Sequence, residues 1–150
     1  MTQVKTLDVL VKKLDPSAKT PLYATEHSAG ADLCSASSTN IIVKAGGIAL
    51  VPSGISIAIP SGYEVQIRSR SGLALKNQIF VLNSPGTIDS DYRGEIKVIL
   101  ANFGESDFIV EPGMRIAQMV LCQYFKCNFN ETQAHDQTAR GQGGFGSSGV

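Results

Sequence analysis

The sequence lacks most of the residues on which common enzyme classes depend. It has no tryptophan, two histidines and three cysteines in 150 residues. Neither His27 nor His135 lies in a Gly-x-Ser-x-Gly or His-Glu-x-x-His pattern, so two common hydrolase signatures are excluded. A phosphate-binding loop of the Gly-x-x-x-x-Gly-Lys type is absent as well. The cysteines are odd in number and form no Cys-x-x-Cys pair, which favours a reducing intracellular compartment over a disulfide framework or a metal cluster.

The chain also lacks a charge excess and a long apolar run. Thirteen acidic residues balance thirteen basic ones, so no overall field indicates a nucleic-acid or membrane partner. The N-terminal residues are charged and do not form a signal peptide. No segment approaches the roughly 18 apolar residues of a membrane span. We therefore expect a soluble, cytoplasmic protein of one domain over residues 1–150, large enough to bury a core without metal or disulfides.

What the sequence does contain is a repeated alternation of apolar and polar residues. This alternation covers residues 55–59, 63–68 and 96–100, and turns rich in glycine and proline separate the segments. Alternation with a period of two is typical of half-buried strands. Short, regularly spaced strands predict an all-β sandwich or barrel. Only Gly72 to Gln78 has the character of a helix, and a short one.

The C-terminal end departs from this pattern. The core pattern covers about residues 4–129, and a polar, glycine-rich arm follows over about residues 130–150. A disordered tail is one interpretation of this composition. A linker, however, has no need for a cation and a ring. Arg140 and Phe145 therefore suggest an arm that orders over a ligand.

One stretch, Asn83–Gly94, contains more charged and aromatic side chains than a surface turn needs. A turn requires only Pro85 and Gly86, yet the stretch also holds two carboxylates, an aromatic ring and a guanidinium between apolar runs. Such a set is typical of the wall of a ligand pocket, in which a carboxylate acts on a water molecule. In an extended chain Asp89 and Asp91 would point the same way. The sequence thus leaves open which acid faces a ligand, and surface acids are the alternative.

Three shorter segments carry weaker signals. Ser28–Leu33 combines small residues with Asp32, but it also fits an ordinary turn that enters a strand. Arg70–Ala74 opens the helix candidate, where free N–H groups, a guanidinium and a hydroxyl suit phosphate. An N-capping Ser71 beside a solvated arginine is the alternative. Gly113–Met119 opens the last core strand, and its arginine and glutamine fit a buried structural network at least as well as ligand contact.

In order and spacing, five segments resemble the five-motif signature of the homotrimeric dUTP pyrophosphatases (dUTPases). These segments are Ala29–Leu33, Arg70–Ala74, Asn83–Gly94, Gly113–Met119 and Arg140–Gly149. The resemblance covers the chain from about residue 20 to its end. Five motifs in order are far more specific than one. In one departure, Arg68 and Ser69 stand where many members carry an apolar residue and a proline.

The resemblance implies a fold, a reaction and a set of partners. The implied fold is an all-β, distorted jelly-roll β-barrel of the β-clip type, with one short helix and a flexible glycine-rich C-terminal arm. The implied reaction is hydrolysis of dUTP to dUMP and pyrophosphate with Mg²⁺ on the triphosphate. That reaction keeps uracil out of DNA and supplies dUMP for thymidylate synthesis. The implied partners are dUTP and further copies of the chain, in a homotrimer whose active sites are shared between subunits, with no nucleic acid and no membrane.

The resemblance also implies roles for individual residues. Asp89 is the catalytic residue that activates a water for attack on the α-phosphate, and Tyr92 lies under the deoxyribose and excludes a 2′-hydroxyl. Asp32 supports the metal indirectly, through water, and Phe145 stacks on uracil when the arm closes from another subunit. The implied substrate-binding residues are Arg70, Ser71, Gly72, Asn83, Thr87, Ile88, Asp89, Tyr92, Lys97, Gln118, Arg140, Phe145, Gly146 and Ser147. Phosphoryl transfer relies on positioning and charge neutralisation, so such an enzyme needs no catalytic histidine.

Two other protein classes remain as alternatives. A dCTP deaminase shares the fold but needs an additional acid–base residue in the pocket, and Ile79–Leu82 supplies none. A non-catalytic β-sandwich binding protein has no use for Asp89, Tyr92 and Arg140, which are all present. Incubation with dUTP and dCTP, scored for pyrophosphate and ammonia, separates the three classes.

Overall fold

The structure is a computed structural model that describes residues 5–147. The first four residues of the predicted domain and the last three of the predicted arm lie outside this range. The described residues form twelve strands and one helix. In chain order these elements are β1 Leu10–Lys13, β2 Leu22–Tyr23, β3 Ala31–Cys34, β4 Ile41–Val43, β5 Ile48–Pro52, β6 Ile55–Ala58, β7 Tyr63–Arg68, α1 Ser71–Asn77, β8 Ile79–Val81, β9 Gly86–Ile88, β10 Lys97–Asn102, β11 Phe108–Val110 and β12 Arg115–Gln123. The predicted all-β class with one short helix is confirmed.

The strands form antiparallel sheets that join distant parts of the chain. One sheet has five strands in the order β2-β3-β12-β7-β9, and a second has three in the order β5-β10-β8. Two smaller sheets pair β1 with β6 and β11 with β4. Because β3 pairs with β12 and β5 with β10, many neighbouring strands are far apart in sequence. Such connections between packed antiparallel sheets are typical of a jelly roll, as predicted.

The alternation of apolar residues identifies the core correctly in most strands. Val65 and Ile67 of β7 are buried, as are Val98 and Leu100 of β10, whereas Lys97 is exposed. Burying an aliphatic side chain of this size stabilises a fold by roughly 1.5–3 kcal/mol. One face of each of these strands therefore contributes to a shared core, which holds the strands that carry the motif residues.

Strand β6 differs from the prediction of a half-buried strand. Ile55 and Ile57 are buried as expected, but Ser56 is buried as well. The strand is enclosed on both edges, since β1 pairs with one edge and the Ile96 backbone N–H donates to the Ile55 carbonyl on the other. This enclosure matters for function because it anchors the segment that leads into β10.

Helix α1 lies one residue earlier than the predicted range of Gly72 to Gln78. Arg70, rather than Ser71, is the N-cap residue, with an extended backbone (φ −95°, ψ 127°) and no side-chain capping hydrogen bond. Gln78 takes a left-handed conformation (φ 55°) and ends the helix. The capping alternative for Ser71 is therefore wrong. Across residues 5–147, no helix is long and apolar enough to cross a membrane.

The end of the described chain lies apart from the core. After β12, Tyr124 donates its backbone N–H to the Gly62 carbonyl at 3.1 Å. Phe125 and Phe129 are then 89% and 90% exposed. From residue 130 onward the described chain contains neither helix nor strand, and its hydrogen bonds join near neighbours only.

Candidate active site

A cleft of about 410 Å³ opens beside β9 and the segment that leads into β10. Strand β9 is held in place by β7, where Thr87 pairs with Gln66 and Ile88 with Val65. The residues that line the cleft are Thr87, Ile88, Asp89, Tyr92, Glu95, Ile96 and Lys97. The lining thus combines an aromatic ring and aliphatic groups with two carboxylates and an ammonium group. A mainly apolar wall with a few polar groups is typical of small-molecule sites.

Of the two acids that the sequence left undecided, Asp89 is the one in the cleft. Strand β9 ends at Ile88, and Tyr92 donates its backbone N–H to the Asp89 carbonyl at 3.1 Å, which closes a turn. This turn breaks the alternation of an extended chain, so Asp89 lines the cleft whereas Asp91 does not. Within residues 5–147, no ion pair or side-chain hydrogen bond engages the Asp89 carboxylate. An unengaged carboxylate can accept a proton from water.

Glu95 is a cleft residue that the sequence reasoning missed. Its Oε1 accepts a hydrogen bond from the Gly54 backbone N–H at 2.9 Å, and its Oε2 lies 3.5 Å from Lys97 Nζ. Its backbone carbonyl accepts a hydrogen bond from the Tyr92 hydroxyl at 3.0 Å. Glu95 therefore ties the cleft to the β5–β6 turn. The spacing of Glu95 and Lys97 was an available signal, because residues two apart on an extended segment share a face.

A second group of charged residues, here called the charged cluster, consists of Asp32, Arg70 and Arg115. Arg70 Nε lies 3.0 Å from Asp32 Oδ1, and Arg115 Nη1 lies 3.0 Å from Asp32 Oδ2. Arg70 also donates to the Arg115 carbonyl at 3.3 Å. Two guanidinium groups on one carboxylate leave a net positive charge, which suits an anion such as phosphate. Burial raises the pKa of the neighbouring Cys34 thiol, so that group stays neutral beside the cluster.

A β-bulge in β12 brings Arg115 into the charged cluster. The register with β3 shifts between Arg115 and Ala117, so Ile116 is the extra residue. Regular alternation would send Arg115 and Gln118, three positions apart, to opposite faces of the sheet. The bulge instead brings both to the face that carries Asp32. The alternation of apolar and polar residues in a sequence does not reveal such a shift of strand register.

Gln118 fixes the segment that precedes Arg70. Its Nε2 donates to the Ser69 carbonyl at 2.9 Å, and the Ser69 hydroxyl accepts the backbone N–H of Val81 at 2.9 Å. The Gln118 side chain lies against Gly30, where any added Cβ would overlap its Oε1. Glycine at position 30 leaves room for this close approach. These bonds agree with the structural alternative that the sequence left open for the glutamine of β12, whereas Arg115 is exposed and takes no part in them.

Three further predicted residues lie outside the cleft. Ser71 and Gly72 are exposed at the start of α1, next to Arg70 of the charged cluster. Asn83 is exposed between β8 and β9, with its amide near Gly86. Within one chain, the predicted phosphate-binding residues and the cleft residues therefore form two separate groups.

The predicted arm residues lie in neither group. Arg140 donates from Nε to the Gly143 carbonyl at 2.8 Å. The Phe145 side chain is fully exposed, and Gly146 and Ser147 are exposed after it. None of these residues lines the cleft of its own chain.

Comparison with known proteins decides the family. The sequence model of the dUTPase family matches residues 16–149. The chain belongs to the dUTPase family. A deoxyuridine 5'-triphosphate nucleotidohydrolase of Rickettsia bellii is 59% identical over 151 aligned positions, which cover 100% of this chain and 97% of that one. The predicted family and enzyme class, a dUTP diphosphatase, are confirmed.

Solved dUTPase structures have the same fold. The Staphylococcus bacteriophage 80alpha dUTPase with dUPNHPP superposes with a TM-score of 0.88 at 25% identity, covering 97% of this chain and 100% of that one. A mutant dUTPase from phage phi11 of S. aureus superposes with a TM-score of 0.78 at 18% identity, covering 87% of this chain and 100% of that one. The phi11 structure describes the coordination of a structural Mg(II) ion.

Proposed function

We propose that this dUTPase hydrolyses dUTP to dUMP and pyrophosphate by attack of a water, activated by Asp89, on the α-phosphate. The proposal rests on which carboxylates already have a hydrogen-bond or ion-pair partner. Both oxygens of Asp32 are engaged by guanidinium groups, and Glu95 is engaged by Gly54 and Lys97. Asp89 lines the cleft without such a partner among the described residues. A general base must be free to take a proton, and Asp89 meets that requirement.

The cleft is the proposed nucleoside site. Its volume of about 410 Å³ falls in the range of roughly 300–1,000 Å³ that is usual for small ligands. The Tyr92 side chain, 44% exposed, offers a ring on which the deoxyribose packs and which leaves no room for a 2′-hydroxyl. The backbone of Thr87 to Asp89, with Lys97 and Asn83, would recognise uracil and the sugar.

The charged cluster is the proposed phosphate site. Asp32 preorganises Arg70, whose side chain is only 25% exposed. Ser71 and Gly72 lie next to Arg70, and Gln118 fixes the segment before it. Phosphoryl transfer depends mainly on positioning and charge neutralisation, which this arrangement supplies.

The proposed cofactor is Mg²⁺, carried mainly by the substrate phosphates. Within residues 5–147, no group of three or more His, Cys, Asp or Glu side chains could hold a metal. Magnesium usually binds through one or two carboxylates, water and substrate phosphates, so the donor set fits a metal that arrives with the nucleotide. Asp32, whose oxygens are already paired, would contact it only through water. When bound, the metal neutralises phosphate charge.

The proposed assembly is a homotrimer in which an arm from one subunit closes over the cleft of another. Apolar side chains on the second sheet support association between copies, since Ile48 and Leu50 are 64% and 56% exposed. Phe125 and Phe129, in the segment that leads to the arm, are exposed as well. In the closed state, the arm would bring Arg140 to the phosphates, and Phe145, with Gly146 and Ser147, to the base.

In the cell, this activity would keep uracil out of DNA and supply dUMP for thymidylate synthesis. We propose that residues 1–150 act as one cytoplasmic domain with no nucleic-acid or membrane partner. The balanced charge of the chain supports this proposal, because thirteen acidic and thirteen basic residues create no strong overall field.

Hydrolysis in water that carries a heavy oxygen isotope tests the reaction. Attack at the α-phosphorus forms the new bond to that atom, so the label should appear in dUMP and not in pyrophosphate. Mass spectrometry of both products measures the outcome. Label in pyrophosphate would place the attack at the β-phosphorus and contradict the proposal. As a control, dCTP should release neither pyrophosphate nor ammonia.

Mixing two inactive chains tests whether the active site is shared. One chain carries Asp89→Asn and the other lacks residues 140–150. Some mixed trimers then combine an intact Asp89 from one chain with an intact arm from the other, so activity should reappear after subunit exchange. Steady-state pyrophosphate release measures the recovery.

The matched control replaces the second chain by one that carries both the deletion and Asp89→Asn, and this mixture should remain inactive. Subunit exchange is verified separately with chains of different mass. If exchange occurs and the first mixture still shows no recovery, the arm acts on its own chain.

A further inference from the structure

The Tyr92 ring is folded back along its own chain. Its hydroxyl donates to the backbone carbonyl of Glu95, three residues on, at 3.0 Å. The turn that begins at Asp89 sets the direction of the Tyr92 side chain, because the Tyr92 backbone N–H donates a hydrogen bond to the Asp89 carbonyl at 3.1 Å. The Tyr92 backbone and the Tyr92 hydroxyl are therefore both tied to the cleft segment.

Gly94 provides the space for this folded ring. A Cβ on Gly94 would overlap the Tyr92 hydroxyl and would lie 2.5 Å from its Cζ and 2.9 Å from its Cε2. Carbon atoms in contact are normally about 3.5–4.0 Å apart, so ring and methyl group cannot coexist in this arrangement. Gly94 does not have a positive φ. Alanine is thus compatible with the backbone at this position, and only the ring excludes it.

Glu95 anchors the carbonyl that the ring binds. Its carboxylate accepts the Gly54 backbone N–H at 2.9 Å and pairs with Lys97 at 3.5 Å. The Glu95 side chain is 24% exposed, which makes this anchor better shielded than an open surface pair. Gly54 itself lies against Ala18 and Ala36 in the core, so the anchor reaches the fixed part of the fold.

We propose that Gly94 and Glu95 are positioning residues that set the preference for dUTP over UTP by fixing the Tyr92 ring. The inference rests on the proposed role of Tyr92 under the deoxyribose. A ring that is held by its hydroxyl and by the turn of its backbone does not move aside to admit a 2′-hydroxyl. A ring displaced by a methyl group at position 94 would leave that space open.

The test compares the kcat/KM ratio of dUTP to UTP in wild-type enzyme, Gly94→Ala, Tyr92→Ala and the double variant. Tyr92→Ala should lower the ratio because it removes the ring. Gly94→Ala should lower it by roughly two- to tenfold, through a strained side chain and a lost hydrogen bond. In the Tyr92→Ala background, Gly94→Ala should have no further effect, because the two changes act through one ring. A general loss of stability would lower both rates in either background.

Two Glu95 variants extend the test to the anchor. Glu95→Gln keeps an oxygen that can accept the Gly54 N–H, so its ratio should stay close to that of the wild type. Glu95→Ala removes the anchor and should lower the ratio. Circular dichroism verifies that each variant is folded.

The outcomes separate this inference from the proposed function. If Tyr92→Ala leaves the ratio unchanged, the role of Tyr92 under the sugar is wrong and the inference fails with it. If Tyr92→Ala lowers the ratio but Gly94→Ala does not, the sugar role stands and only the positioning inference is overturned.

Discussion

Replacing Asp89 by asparagine should lower kcat by about 10²–10⁴-fold, the usual effect of removing a general base. The amide has nearly the same shape as the carboxylate but cannot take a proton from water. The Asp89 carboxylate makes no ion pair within the described residues, so its loss removes no structural contact. Folding and nucleotide binding should therefore be preserved. Pyrophosphate release measures turnover, and calorimetry with a non-hydrolysable dUTP analogue measures binding.

Asp91→Asn is the matched control for this experiment. It makes the same chemical change two residues further on, at an exposed carboxylate that does not line the cleft. Its turnover should remain close to that of the wild type. Equal losses in the two variants would mean that the reaction depends on the negative charge of this segment rather than on a base at position 89. Wild-type turnover by Asp89→Asn would refute the assignment directly.

The strands were predictable because the relevant information is local. Alternation over residues 63–68 and 96–100 reports a strand with one buried face, and the chain folds accordingly. Ser56 was mispredicted because its burial depends on what encloses β6, and the pairing partner β1 lies more than 40 positions away in sequence. The helix boundary was misplaced by one residue because serine is a strongly preferred N-cap residue, whereas here Arg70 takes the extended N-cap backbone and Ser71 is already helical.

The site was predictable in its composition but not in its arrangement. The stretch Asn83–Gly94, which its density of functional side chains singled out, supplies part of the cleft lining, and the rest comes from residues 95–97. The choice between Asp89 and Asp91 depended on a turn, and the place of Arg115 depended on a β-bulge. Both features change which face a side chain occupies without leaving a trace in the alternation of the sequence.

The predicted arm is the part for which sequence and single-chain geometry say least. Its composition argues for a solvated tail, and up to Ser147 the hydrogen bonds of the arm join near neighbours only. A segment that orders only against a partner subunit and a ligand would look the same in both respects. Only a measurement of function separates the two interpretations.

Deleting residues 140–150 should reduce turnover on the order of a hundredfold or more if closure of the arm stabilises the transition state. Stacking of an aromatic ring on a base contributes about 1–3 kcal/mol. A charge-assisted contact to phosphate contributes about 1.5–3 kcal/mol. The deletion removes one of each, from Phe145 and Arg140. Steady-state pyrophosphate release measures the loss, and sedimentation velocity checks that the proposed trimer survives.

Two Phe145 variants show whether the ring itself matters. Phe145→Ala should lose less activity than the deletion because it keeps Arg140, and Phe145→Trp should keep the stacking interaction. The chain contains no other tryptophan, so fluorescence of the Phe145→Trp variant reports on this position alone. The side chain is fully exposed in the free chain, and dUTP should therefore quench the fluorescence as the arm closes.

A disordered tail predicts the opposite on both counts: turnover would survive the deletion, and the fluorescence would not respond to nucleotide. An intact trimer with wild-type turnover after deletion would remove the arm from the mechanism and leave the cleft and the charged cluster as the whole site.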